Sequence, residues 1–259
     1  MYYCCAITDK GVRENNEDAL LIHRTVLTEG VTECLVAAPF IAAVADGVSS
    51  EQCGEVASEM CLHLLKEVSY TSELDLEELL ADIHRKLTEY SVQRDETANM
   101  QTTLCGIAVD EYEGLHTINV GDSRLYRYRS GRLTQLSRDQ SLVQLLYEEG
   151  TITKEEKQNH KHRNIIFPVL GNLSSTPDFD VRSNDECVQF GDVLLICSDG
   201  LSDYVSTDEM EEILALPKPL VRRLRLLTDL ALDNGGTDNI TIIAMMRMAE
   251  DKKRAGMLI

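Results

Sequence analysis

Three apolar stretches of this chain, each with the residue types of a buried strand, run into an aspartate. Residues 41–45 lead into Asp46-Gly47, residues 118–120 into Gly121-Asp122, and residues 193–197 into Ser198-Asp199-Gly200. A fourth aspartate, Asp238, sits in Gly235-Gly236-Thr237-Asp238-Asn239, immediately before the apolar run 240–245. Strands far apart in sequence can bring their ends together at one end of a sheet. Four carboxylates so placed would repel by about 4 kcal/mol per close pair at an effective dielectric near 20, so the cluster calls for divalent cations to neutralise it.

Taken singly, each Asp-Gly pair is a turn signal, and an aspartate at a strand end most often makes a turn or caps a helix. The context changes that reading. Near the N-terminus, Arg13 is followed by Asn16-Glu17-Asp18, and the later pieces come as Asp46-Gly47, Gly121-Asp122-Ser123-Arg124, Ser198-Asp199-Gly200 and Asp238-Asn239. In this order and spacing the chain resembles the metal-dependent protein phosphatases of type 2C, and their bacterial serine/threonine branch in particular. The resemblance runs over nearly the whole length.

The strand and helix patterns alone suggest an antiparallel α+β layout. Strands are expected near 2–8, 19–27, 34–45, 102–109, 115–120, 124–129, 132–137, 179–182, 192–197 and 239–246, with Ser130-Gly131 as a two-residue hairpin loop. A helix with Val56, Met60, Cys61, Leu64, Leu65 and Val68 on one face is followed by a second with Leu76, Leu79, Leu80, Ile83, Leu87 and Tyr90. Another is expected over 220–232, ended by Asn234-Gly235-Gly236. The resemblance sharpens this to a four-layer α-β-β-α sandwich, two antiparallel sheets flanked by helix pairs, with metals in a cleft at one end. Residues 1–249 are read as one phosphatase domain carrying a flap over about 141–170, and 250–259 as a solvated tail with Lys252-Lys253-Arg254.

The activity the resemblance implies is hydrolysis of phosphoserine and phosphothreonine on proteins. Two hard cations about 3.5–4 Å apart can hold a bridging water, lower its pKa and aim it at phosphorus. Oxygen donors select manganese or magnesium over zinc. By resemblance Asp46 bridges both metals and the Gly47 carbonyl binds one. Asp199 and Asp238 complete the other site, Glu17 and Asp18 act near the first, and Asp122 with Asp199 forms a third, weaker site. Arg13 matches the phosphate clamp of the family, a role that suits the two-pronged guanidinium; a surface ion pair to Glu14 or Glu17 is its other reading. Arg13, Asp46, Asp199 and Asp238 are thus the expected catalytic group. Asn239 and Thr241 orient Asp238 or its turn, or merely start a strand.

Composition narrows the rest. With a net charge of −19 and no basic face, a nucleic-acid partner is not expected. No apolar run is long enough to span a bilayer, and Met1-Tyr2-Tyr3-Cys4-Cys5 lacks the basic start of a signal peptide, so a cytoplasmic monomer is expected. Its expected partners are phosphoproteins and a cognate serine/threonine kinase. The eight cysteines lack zinc-type spacing and read as reduced core residues, with Cys4 and Cys5 pointing to opposite faces of a strand. His160 and His162 fall in the flap. A Gly-x-Ser-x-Gly elbow is missing, which argues against a serine nucleophile.

The chain also departs from its resemblance. Ser49-Ser50 and Glu51 replace two glycines and a His or Asn, Gln101 replaces a glycine, and Gln140 replaces a histidine. Val48 stands where animal relatives carry an acid histidine. Ser49 and Gln52 have capping-box spacing for the first helix. The alternative to an active enzyme is a catalytically weak pseudophosphatase that binds phosphoproteins; it would be favoured by a lost metal aspartate, and none is lost.

Overall fold

The computed structural model describes residues 1–48, 53–93, 95–158, 160–184 and 188–248. Within them, two six-stranded sheets pack face to face, and every strand pairing in both is antiparallel. The first sheet orders β4 (Gly30–Val36), β1 (Tyr2–Asp9), β12 (Ile240–Arg247), β11 (Val193–Cys197), β8 (Arg124–Arg129) and β9 (Arg132–Gln135). The second orders β10 (Asp180–Asn184), β7 (Leu115–Val120), β6 (Leu104–Val109), β5 (Phe40–Asp46), β2 (Asp18–Ile22) and β3 (Thr25–Leu27). Helices α1 (Gly54–Lys66) and α2 (Leu76–Val92) cover the second sheet; α6 (Thr207–Leu214) and α7 (Leu220–Asp233) cover the first. The expected four-layer sandwich is the observed one.

Side-chain alternation builds three apolar layers. In β5, Phe40, Ala42 and Val44 face the space between the sheets with Leu20, Ile107 and Ile243, whereas Ile41, Ala43 and Ala45 face Leu62, Leu80 and Ile83 of the α1/α2 layer. The opposite layer joins Ile7, Leu195 and Ile242 to Leu224 and Leu227 of α7. Because both faces of the inner strands are covered, their sequences are continuous apolar runs instead of alternating ones. Cys4 and Cys5 do point to opposite layers. The described cysteines are all free thiols.

The strand expected over 19–27 is a hairpin, because His23 takes a left-handed φ of 55° and turns the chain between β2 and β3. The one expected over 34–45 is likewise two strands, β4 and β5, interrupted at Pro39, which has no N–H to give a ladder. The Ser130-Gly131 hairpin is as read, with φ of 51° and 82°. In α1 the buried face is Ala57, Ser58, Cys61, Leu62 and Leu65; Val56, Met60 and Leu64 are only partly buried. The helix starts at Gly54 with Cys53 at its N-cap, and Ser49, Ser50, Glu51 and Gln52, which hold the expected capping box, lie outside the described residues. So does the tail with Lys252-Lys253-Arg254. Three short helices escaped the sequence reading: α3 (Leu142–Glu148) and α4 (Lys154–Gln158) within the flap, and α5 (Asp199–Ser202) after β11. α6 escaped it too, although Ser206 and Glu209 form a capping box at its start.

Candidate active site

The four aspartates that border apolar runs do meet at one end of the sandwich. Asp46 closes β5 and lies directly across the ladder from Asp18, the first residue of β2. Asp122 follows β7 in the same sheet, while Asp199 opens α5 after β11 and Asp238 precedes β12 in the other. Asp18 is buried; Asp46, Asp122, Asp199 and Asp238 keep partial exposure, as a cleft open to solvent requires.

The glycines beside two of them are there for packing. Neither Gly47 nor Gly200 has a positive φ. A Cβ on Gly47 would lie 2.3 Å from the Gly54 carbonyl oxygen, and one on Gly200 would lie 1.8 Å from that of Asn239. Both distances are impossible for real atoms. Glycine therefore lets α1 close on β5 and α5 close on the start of β12, which brings the two aspartates toward the same space. This overturns the plain turn reading of both Asp-Gly pairs.

Electrostatics show how closely the carboxylates feel one another. Burial, then Asp18, Asp199, Asp122 and Asp238, push Asp46 well above the usual carboxylate range. Asp199 is raised in the same way by burial, then Asp122, Asp203, Asp238 and Asp18. Burial first, then Asp139 and Asp203, lift Asp122 to about 7. Asp18 is lifted to about 6, chiefly by burial and further by Asp238, against the lowering effect of its hydrogen bonds from Ser198 and Thr241.

Among the described residues, the salt bridge of Arg13 is to Asp238 and not to Glu14 or Glu17. Its Nε donates to the Thr237 carbonyl at 2.8 Å and one terminal nitrogen to Asp238 Oδ2 at 2.9 Å, with 43% of the arginine side chain exposed. Asn239 fastens this corner. Its Nδ2 donates to the carbonyls of Lys10 and Asn15, both at 2.9 Å, and its Oδ1 accepts from the Glu17 N–H at 2.8 Å. The loop carrying Arg13 and Glu17 is thus tied to the strand carrying Asp238. The Glu17 carbonyl in turn accepts from the Gly47 N–H at 3.1 Å and from the Ser58 hydroxyl at 2.6 Å.

Sequence reasoning missed two residues here. The fully buried Ser198 hydroxyl donates to Asp18 Oδ2 at 2.7 Å and accepts from the Thr241 N–H at 3.0 Å, tying the Asp18 carboxylate of one sheet to the β12 backbone of the other. Asp203 borders Asp199 and Asp122 and salt-bridges Arg163 of the flap at 3.5 Å. No motif marked either one; a serine before Asp-Gly and an aspartate four positions on were the available signals.

The segment 141–170 is anchored beside Asp122 and Asp199. Asp139, itself buried, takes a two-pronged contact from Arg124 and a 3.0 Å salt bridge from Lys157 of α4. Gln140, in place of the histidine, accepts from the Gly121 N–H at 2.8 Å and donates to the Asp178 carbonyl at 2.9 Å. Its amide thus supplies the donor and the acceptor that a neutral imidazole would. Gln101 likewise links elements: its carbonyl accepts from the Val48 N–H at 3.0 Å and its side chain from Asn172 at 2.8 Å. His160 and His162 stack 5.6 Å apart in the flap, while His63 and His116 meet Glu59 and Asp110 outside the cluster.

The sequence profile of the family described as Protein phosphatase 2C matches residues 15–232. This chain belongs to the protein phosphatase 2C family. It is 34% identical to the serine/threonine phosphatase stp of Listeria monocytogenes serotype 4b over 257 residues, covering 95% of this chain and 96% of the relative. It is 34% identical to the serine/threonine protein phosphatase PstP of Mycobacterium tuberculosis over 92% of its own length and 43% of that longer chain. Among solved structures, the serine/threonine phosphatase Stp1 of Staphylococcus aureus superposes with a TM-score of 0.81 at 30% identity, with 96% of each chain covered. The catalytic domain of PstP in complex with two manganese ions gives a TM-score of 0.74 at 31% identity, covering 96% of this chain and all of that one.

As a member of the family, the chain is expected to hold divalent cations, and the donors fit them: the carboxylates of Asp18, Asp46, Asp122, Asp199 and Asp238 offer oxygen, the donor that hard cations prefer. The mutual elevation of Asp46, Asp199, Asp122 and Asp18 is the strain that positive charge relieves. Among the described residues, no three acidic, histidine or cysteine side chains already enclose one point, since Asp238 is turned to Arg13 and Asp18 to Ser198.

Proposed function

We propose that this chain removes phosphate from phosphoserine and phosphothreonine in proteins, using a pair of divalent cations held by the aspartate cluster. The observation that carries the reading is the meeting of Asp18, Asp46, Asp199, Asp122 and Asp238 at one end of the sandwich, each of the first four driven toward its neutral form by burial and by its neighbours. When bound, the cations supply water activation and neutralisation of phosphate oxygens. Asp46 is the bridging carboxylate, the Gly47 carbonyl an additional donor, Asp199 and Asp238 the other ligands, and Glu17 and Asp18 supports of the first site.

The residues around them have their own tasks. Arg13 stands at the rim with part of its guanidinium in solvent and swings from Asp238 to two phosphate oxygens of the substrate. Asn239 and Ser198 hold Glu17, Asp238 and Asp18 in place. The pairing of Arg163 with Asp203 brings the flap next to Asp122 and Asp199, where a third cation would sit. With Val48 where a histidine acid would stand, water or another group would protonate the leaving group. Manganese or magnesium would serve with this donor set. Phosphoproteins, and a kinase that opposes this activity, are the natural partners of a monomeric cytoplasmic enzyme of this kind. All the metal carboxylates are present, which leaves the pseudophosphatase reading without support.

Calorimetric titration of manganese tests the assignment. The wild type should take up two equivalents, and Asp46→Asn should lose most of that heat along with phosphate release from a phosphothreonine peptide. Two unweakened sites in Asp46→Asn would refute the bridging role.

A further inference from the structure

On a chain of net charge −19, α7 carries an exposed row of cations that belongs to no internal network. Arg85, Arg129, Arg138, Arg182 and Arg247 are all taken by carboxylates. On α7 itself, Arg223 turns inward to the carbonyls of Leu214 and Lys218, at 2.7 and 2.8 Å, and braces the α6–α7 connection. Its neighbours Arg222 and Arg225, together with Lys218, are exposed, and their side chains make no hydrogen bond or ion pair among the described residues.

These three side chains wall a groove of about 720 Å³ whose floor is Ile7 of β1 and Val31 of β4. β4 is the edge strand of its sheet, so its outer backbone groups have no partner strand. Val31 and Leu35 lie opposite Ile7 and Tyr3 in the ladder, and they remain 42% and 61% exposed. The groove therefore offers a free strand edge, an apolar floor and a cationic wall together. Asp9 and Asp229 border it as well. They mark the end nearer the aspartate cluster, since Asp9 accepts from the N–H of Gly11, whose backbone abuts Asp238. Arg222 lies roughly 10 Å further back along the helix than Asp229, at 1.5 Å per residue. Charge thus changes sign along the groove, with the cations at the distal end.

We propose that this groove docks an extended acidic segment of the phosphoprotein substrate, added to the edge of β4. Its carboxylates meet Lys218, Arg222 and Arg225, and the stems of its glutamates cover Val31 and Leu35. The charge complementarity selects an acidic occupant over a basic one, and the bordering Asp9 and Asp229 repel it from running on toward the aspartate cluster. Docking of this kind raises the local concentration of a phosphoresidue elsewhere in the same chain. The inference rests on the phosphatase reading for its consequence, though not for the binding itself.

The test uses a fluorescein-labelled peptide of alternating glutamate and threonine, followed by anisotropy, with wild type and with Arg222→Glu/Arg225→Glu. Binding by the wild type and a loss of about tenfold or more in the variant is expected, with no binding of the matching lysine-threonine peptide. Equal affinity of both proteins, or equal binding of the lysine peptide, overturns the proposal. A proline-interrupted peptide of the same charge that bound as well would overturn addition to β4. Sedimentation showing a dimer that the double variant dissolves would assign the groove to a second copy of the chain instead. In the kinetic arm, fusing the acidic segment to a phosphothreonine peptide should lower KM for the wild type alone, while hydrolysis of p-nitrophenyl phosphate stays equal in both proteins. If p-nitrophenyl phosphate is not hydrolysed at all, the phosphatase reading fails, and the anisotropy result still decides the groove.

Discussion

Asp18 and Asp46 stand directly opposite each other at the open end of the β2–β5 ladder, two carboxylates that the sheet register forces together. Like charges in such a position oppose folding unless one is neutralised by a proton or by a cation. The Ser198 hydroxyl answers part of this by donating to Asp18 from the other sheet.

A dependence of stability on pH follows. The folded-state values of Asp18, about 6, and Asp122, about 7, lie above the ordinary 3.8. Groups raised in this way contribute stability that is fully present below the unfolded value and is lost as pH rises through the folded one. Chelated protein should therefore melt at a lower temperature at pH 8 than at pH 5. Manganese should reverse the trend, because ligation needs the deprotonated carboxylates. Scanning calorimetry with EDTA and with manganese at both pH values checks this; a chelated protein that gains stability from pH 5 to 8 would contradict it.

Arg13→Ala separates a substrate clamp from a structural ion pair. Loss of a charge-assisted contact of about 1.5–3 kcal/mol should raise KM for a phosphothreonine peptide roughly ten- to a hundredfold with most of kcat kept. Arg13→Lys should rescue in part, since a point charge lacks the fork. Steady-state kinetics decide it: an unchanged KM with a lowered Tm would mean that Arg13 serves only to hold Asp238.

What the sequence made legible was the placement of chemistry, and what it hid was shape. Asp46, Asp122 and Asp199 could be placed because each ends a run too apolar to be anything but buried, and Asp238 because it directly precedes one. The α1 face was misread because Ala57 and Ser58, small enough to let the helix approach β2 and β5, outrank the larger Val56 and Leu64 in burial. The breaks at His23 and Pro39 were passed over because apolar residues continue on both sides. Ser198 went unnoticed because its role depends on Asp18 in the other sheet, a partner that no local pattern reveals.

Gln140 ought to be replaceable by histidine and not by leucine. Gln140→Leu leaves the buried Gly121 N–H unpaired, at a cost of about 1–3 kcal/mol, and releases the carbonyl of the exposed Asp178 to water. It should also lower activity through the displaced Asp122, whereas Gln140→His should keep both. Urea denaturation paired with phosphate release measures the two effects, and a leucine variant of native stability would rule this role out.

Lys157→Met tests the anchoring of the flap. Asp139 keeps its two-pronged partner Arg124, so the loss should be modest, about 1–2 kcal/mol, and Arg124→Met should cost more. The check is urea denaturation of both variants, with the opposite ranking as the contrary result.

The most direct measurement concerns the cations themselves. One preparation is assayed for hydrolysis of p-nitrophenyl phosphate and of a phosphothreonine peptide with manganese present, again after EDTA, and again after manganese is restored in excess. The predicted outcome is full loss on chelation and full recovery on restoration for both substrates, with Asp46→Asn and Asp238→Asn lower by orders of magnitude throughout. Undiminished hydrolysis in EDTA would contradict the account.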